Sequence, residues 1–187
     1  MFKIDLGEVV ILRPQSFNSH WVRAFLLCLI LASCCQAAIA SAMTLATSSF
    51  KNNGPIPAEF VRSSPALEWG GAPKGTKSFA IICHDPDAPN GDFVHWLAYD
   101  IPVARLILPV DAGNSAQQEF RQGINGFDRL GWTGPMPPPG KVHHYYITVY
   151  ALNSLLGDLH KPKIDTLKSA MNGHVLAQAS LMGTFSR

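Results

Sequence analysis

The sequence predicts a mainly antiparallel β domain, and three observations carry that reading. Pro and Gly interrupt the chain at short intervals, at Gly54-Pro55, Gly70-Gly71, Pro86, Pro89-Asn90-Gly91, Pro102 and the 134–140 run. Apolar runs of strand length lie between these breaks, at 78–84, 93–101 and 143–151. Helical signal is confined to the last part of the chain. There, Asp165 reads as the cap of a helix with Leu167, Ala170 and Met171 on one side and Asn172-Gly173 as its stop. A second short helix is expected from His174 to Ala179, leading into a last strand from Leu181 to Phe185.

Composition bounds the function. With 187 residues, 47% hydrophobic and 15% charged, the chain suits one domain with a full core rather than a disordered segment. The formal net charge is +2, and no cluster of Lys and Arg exceeds a pair. Nucleic acid therefore has no electrostatic footprint to bind.

Side chains alternate faces along a strand, so parity says which residues can meet. Phe79, Ile81, Cys83 and Asp85 share one face; Phe93, His95, Leu97 and Tyr99 share another; His143, Tyr145, Ile147 and Val149 a third. Each set carries a polar residue at or near one end of an apolar face, which would build a small polar pocket at the rim of a core. Parity also sends His143 and His144 to opposite sides.

The segment Asp85 to Pro89 reads as a rigid turn, because Pro86 has a fixed φ and no N–H. Asp and Pro are ordinary turn formers, so the turn alone carries no function. His95 and His143 would act as hydrogen-bond donors to a phosphate or carboxylate, and Gly134-Pro135 as a backbone wall that a ligand can approach. As a rim residue, His143 is expected to be replaceable by Ala with little effect on thermal stability.

Two segments together are more specific than any of these residues. Asp85-Pro86-Asp87-Ala88-Pro89 followed by His95-Trp96, and Gly131-Trp132-Thr133-Gly134-Pro135 closing on His143-His144-Tyr145, resemble the two signatures of the phosphatidylethanolamine-binding protein family. This family is also called Raf kinase inhibitor-like, and the likeness is greatest to its bacterial branch. The resemblance runs from about Ser49 to Arg187. It implies an antiparallel β-sandwich of Greek-key type, with a few peripheral helices and a C-terminal segment near the pocket mouth. It also implies a ligand site made of Asp85, Asp87, His95, Gly134, Pro135, His143 and Tyr145. The implied ligand is a small anion such as phosphate, carboxylate or a phosphoethanolamine headgroup. A binding protein without cofactor is implied rather than an enzyme, with modulation of a kinase or protease as a use and a homodimer as its assembly.

The chain departs from the usual bacterial pattern at Trp132, where Tyr is commoner, and at Met136, where Cys is common. His84 replaces a frequent acidic residue, which lowers local negative charge and bears on headgroup preference. Leu181 to Phe185 agrees with the family's C-terminal ending.

Two other functions stay open on the residues. An acid–base hydrolase could use Asp85 or Asp87 to orient His95 or His143, although no Gly-x-Ser-x-Gly elbow accompanies them. A metal site could draw on two His and one Asp, although no His-x-His or His-x-x-x-His spacing supports it.

Residues 1–40 read as an N-terminal extension and signal peptide, and 41–187 as the family domain. The apolar run 24–32, its flank at Arg23 and the Ala38-Ile39-Ala40 pattern indicate export, with a periplasmic mature protein. Asp5 and Glu8 are unusual in a leader and point to a start downstream of Met1 or to an added extension. Leu31-Ala32-Ser33-Cys34 also matches a lipoprotein box, which would anchor the protein through Cys34. Cleavage after Ala40 removes Cys28, Cys34 and Cys35 and leaves Cys83 as a buried, unreactive thiol.

Overall fold

The computed structural model describes residues 42–116 and 119–187. The extension, the signal peptide and Cys34 lie outside the described residues. Within them the strands are β1 (Thr44–Ala46), β2 (Gly54–Pro55), β3 (Leu67–Gly70), β4 (Ser78–Asp85), β5 (Phe93–Pro102), β6 (Ile107–Leu108), β7 (Arg121–Gln122), β8 (Val142–Leu152) and β9 (Val175–Ser186). Among the described residues one helix, α1, spans Ile164–Met171, and a single 3₁₀ turn covers Ala58–Val61.

The strands form two sheets, one ordered β1-β3-β6 and one ordered β2-β9-β8-β4-β5-β7. Strand β8 returns to lie beside β4 after β4, β5 and β7 have been laid side by side, which is the Greek-key order. Pairing is antiparallel except between β2 and β9, which run parallel for two residues.

Apolar side chains explain the layering. Leu67 and Trp69 of the small sheet meet Phe79, Ile81, Cys83, Trp96, Ile147, Val149 and Leu181 of the large one. The opposite face of the large sheet is covered by α1, with Ala80, Ile82, Leu97 and Tyr99 packed against Leu167 and Met171. Because β4 is buried on both faces, its sequence reads as an almost unbroken apolar run rather than an alternating one.

Three local readings change. Residues 174–179 contain no helix: β9 begins at Val175 and pairs with β8 from Leu152 to Val142. Ala177, Ala179 and Leu181 then point into the core at the period of two that a strand requires. Pairing along all of β8 overrides the helical propensity of Leu176-Ala177-Gln178-Ala179. Asp165 is not the cap of α1; Lys163 occupies that position, and Asp165 sits inside the first turn, where a carboxylate still favours the helix dipole. The expected stop holds, with Asn172 at the C-cap and Gly173 at a φ of 77°.

The third change touches the site. Strand β5 does not alternate regularly, because its register against β4 shifts between Cys83 and His84. Cys83 opposes Trp96 while His84 opposes Val94, so His95 is the extra residue of a β-bulge. Leu97 and Tyr99 consequently leave the face of His95 and join the cluster under α1, whereas Trp96 enters the main core.

Candidate functional site

The turn after β4 uses Asp85 as its keystone. Asp85 Oδ1 accepts the backbone N–H of Asp87 at 2.9 Å, which closes an Asx turn around Pro86. Its Oδ2 accepts a hydrogen bond from His143 Nδ1 at 2.8 Å. The two side chains are 4% and 3% exposed, so this is a buried pair. Parity along β8 puts the next residue outside, and there His144 repeats the pairing with Asp87 at 2.6 Å. Asp87 also accepts the backbone N–H of His144, and these bonds hold its carboxyl below the usual range. The two aspartates that flank Pro86 thus tie the turn to β8 from both sides.

His95 is held from another direction. Its Nδ1–H donates to the Thr133 carbonyl at 2.7 Å, and the Thr133 N–H returns a bond to the His95 carbonyl. Phe93, Phe127 and Tyr145 surround the ring, with centroids at 5.2, 6.1 and 5.1 Å. Burial in this aromatic setting pushes His95 below the ordinary imidazole value, against the opposing pull of the Thr133 carbonyl and the Asp85 charge. His95 is therefore neutral at pH 7.

Asp85, His95 and His143 line one pocket of about 300 Å³. Its walls are mostly apolar, from Ala88, Pro89, Phe93, Phe127, Met136 and Pro138, and Asn90 and Arg187 complete it. A polar floor under apolar walls is the usual build of a small-ligand site. Across residues 46–186 the chain also matches the sequence model of the family described as phosphatidylethanolamine-binding protein. The chain belongs to this family.

Other phosphatidylethanolamine-binding proteins and their relatives resemble it over the same region. A UPF0098 protein of Aquifex aeolicus is 40% identical over 152 residues, covering 78% of this chain and 89% of the relative. The crystal structure of a Chlamydia trachomatis protein, described as a homologue of the family, superposes with a TM-score of 0.72 at 33% identity. That match covers 78% of this chain and 98% of the other. Escherichia coli YbcL, described as a new member of the mammalian family, gives a TM-score of 0.73 at 29% identity over 79% and 99% of the two chains.

In this phosphatidylethanolamine-binding protein fold, the remaining predicted residues stand behind the pocket or beside it. Asp87 faces outward with His144. Gly134 is buried, and a Cβ there would lie 2.3 Å from the Phe60 carbonyl oxygen and 2.5 Å from Val61 Cα. Its missing side chain admits the Ala58–Val61 turn rather than a ligand, and Pro135 is buried next to it. Tyr145 packs behind His95 and with Ile56 and Phe60. Its hydroxyl is buried without a well-formed hydrogen bond, and burial together with the nearby Asp85 charge raises its ionisation far above the usual phenol value.

The variant positions sort differently. Trp132 belongs to the core, edge-on to Trp96, with its Nε1–H donating to the Phe60 carbonyl at 3.0 Å. Met136 lines the pocket. His84 lies off the pocket lining, paired with Asp92 and beside Tyr146, and its charge still acts on His95.

Two contributors have no counterpart in the predicted set. Buried Asn125 accepts the N–H groups of Phe127 and Arg129 and donates to the Gly131 carbonyl and the Thr133 hydroxyl. It thereby fixes both the Phe127 wall and the Gly131–Thr133 segment that holds His95. Asn125-Gly126 is a turn signal that could have marked it. Arg187 reaches the pocket because β9 runs the length of β8, and its Nε–H donates to the Pro137 carbonyl at 2.8 Å. Among the described residues no group of three His, Cys, Asp or Glu side chains stands close enough to hold a metal ion.

Proposed function

We propose that this member of the phosphatidylethanolamine-binding protein family is an exported binding protein whose pocket takes a small ligand bearing phosphate or carboxylate, such as a phospholipid headgroup. One observation carries the reading: the buried Asp85–His143 pair and His95 open together into an apolar-walled pocket that Arg187 borders. Apolar walls suit the carbon part of a headgroup, and the polar groups suit its charged ends. Control of a kinase or protease is a use such a pocket would serve, with ligand occupancy altering the surface around Met136 and Pro138. Support for export comes from the sequence of residues 24–40 alone.

The Asp85–His143 hydrogen bond also supports a second reading, acid–base hydrolysis of a phosphoester. The residues lining the pocket contribute no hydroxyl or thiol nucleophile, so that chemistry would need an activated water.

Calorimetric titration of the full chain with inorganic phosphate, from pH 8 to 5.5, tests the binding reading. Affinity should rise as the pH falls, because neutral His95 lacks a free N–H and the protonated ring gains one at Nε2. Absence of binding by phosphate, acetate and phosphoethanolamine throughout that range would sink the proposal. Steady turnover of a phosphoester, lost in a His143→Asn variant, would replace it with the hydrolase.

A further inference from the structure

Four Asn-Gly pairs occur in the chain: Asn53-Gly54, Asn90-Gly91, Asn125-Gly126 and Asn172-Gly173. In each, a carboxamide precedes a backbone nitrogen that no side chain shields. In water such a pair can close on itself, the glycine nitrogen attacking the asparagine Cγ. Closure needs an exposed carboxamide, a glycine N–H without another partner, and a backbone able to rotate.

Three of the pairs are tied down. Asn125 is buried, its carboxamide makes four hydrogen bonds, and the Gly126 N–H donates to the Val94 carbonyl at 2.8 Å. Asn53 is exposed, but the Gly54 N–H donates to the Lys51 carbonyl and the Asn53 N–H to the Met182 carbonyl of β9, each at 2.8 Å. Asn90 is exposed as well, and the Gly91 N–H donates to the Ala88 carbonyl at 3.0 Å. Its loop is also pinned at both ends, by Asp87 on His144 and by Asp92 on His84.

Asn172-Gly173 differs. Both residues are exposed, and they lie just past the last residue of α1, where helices fray. Asn172 has φ −61° and ψ 128°, and Gly173 has φ 77°, which together make a type II turn. The His174 N–H closes the turn on the Met171 carbonyl at 3.0 Å. Among the described residues, none accepts the Gly173 N–H and none bonds the Asn172 carboxamide. The ψ of 128° keeps Cγ turned away from the Gly173 nitrogen, so closure requires a rotation that the single turn bond resists.

We propose that Asn172 is the residue at which this protein deamidates. The deprotonated Gly173 amide forms a bond to Asn172 Cγ, the Cγ–Nδ2 bond breaks, and ammonia leaves with the proton. Water then opens the cyclic imide at either carbonyl, giving aspartate or isoaspartate at position 172. Both products place a carboxylate at the C-cap of α1, against the negative end of the helix dipole, with Lys168 one turn back offsetting part of that cost. Isoaspartate also lengthens the main chain by one carbon just before β9 begins at Val175. Asn172 is not among the residues that line the Asp85 pocket, so the inference does not depend on what that pocket binds.

The test ages the full chain, wild type and Asn172→Gln, at pH 8 below the melting temperature. Peptide mass spectrometry follows conversion of carboxamide to carboxylate at all four pairs, and fragmentation tells isoaspartate from aspartate. Position 172 should convert at least about tenfold faster than 53 or 90 and about a hundredfold faster than 125, each further hydrogen bond slowing the reaction by up to about tenfold. The Gly173 amide should exchange with deuterium ahead of those of Gly54, Gly91 and Gly126. Asn172→Gln should lose the dominant acidic form that ageing produces in the wild type.

Asn172→Asp carries the product's charge from the start, and it should melt about 1–3 °C below the wild type at pH 7. Faster conversion at 53, 90 or 125 than at 172 overturns the assignment. So does a Gly173 amide as protected as that of Gly126, because the nitrogen would then not be free. An Asn172→Asp variant that melts with the wild type overturns the stated effect on α1.

Discussion

His143 donates to Asp85 at 2.8 Å from a position where each side chain is almost wholly buried. The histidine is therefore part of the internal framework as well as of the pocket, and the expectation that its loss leaves stability unchanged does not follow. Truncation to Ala strands a buried carboxylate, which costs about 3 kcal/mol in comparable pairs. His143→Asn keeps an N–H near the Nδ1 position and removes Nε2, so it should recover most of that loss. Urea denaturation of the full chain at pH 7 measures both. A His143→Ala loss below about 1 kcal/mol would mean that the pair is not a structural tie.

Acid should destabilise the fold in two separate windows. His95 has its pKa lowered by burial, so the unfolded chain takes up a proton that the folded one resists. Its contribution is complete above the unfolded value of about 6.5 and falls away as the pH drops through the lower folded value. Asp87 is lowered by its bonds to His144, so its contribution is complete above about 3.9 and is lost below that. Asp87→Asn should flatten only the second window. A melting-temperature profile from pH 8 to 3 shows this, and an unchanged acid limb in the variant counts against the Asp87–His144 tie.

Gly134→Ala should destabilise the protein by about 2 kcal/mol, within the range for overpacked sites. The added carbon would meet backbone atoms of Phe60 and Val61, which cannot swing aside as a side chain can. Thermal unfolding checks this, and a variant as stable as the wild type would show that the Ala58–Val61 turn yields easily.

Cys83 is fully buried, and burial reinforced by the Asp85 charge pushes its thiol far above the ordinary range. In the native protein it should react with a disulfide reagent no faster than the domain unfolds. Addition of denaturant should release one full equivalent of reactivity from this residue. Rapid native labelling at Cys83, located by peptide mass spectrometry, would contradict the packing of β4.

Much of the site was legible because its logic is local. Two-residue periodicity along 143–151 separates His143 from His144 without any knowledge of their partners, and each does pair on its own side. The Asp85-Pro86-Asp87 turn declares itself through residues that favour turns wherever they occur. Tertiary structure decided what depends on a neighbouring strand. The bulge at His95 exists only in the register of β5 against β4, and it moves Leu97 and Tyr99 to the other side of the sheet. Residues 175–180 are strand because β8 offers them a full ladder, against their own helical preference. Arg187, 92 positions from His95, joins the pocket only when β9 lies along β8. Periodicity is a property of the chain, whereas register and proximity are properties of pairs, settled when distant segments exchange water for each other.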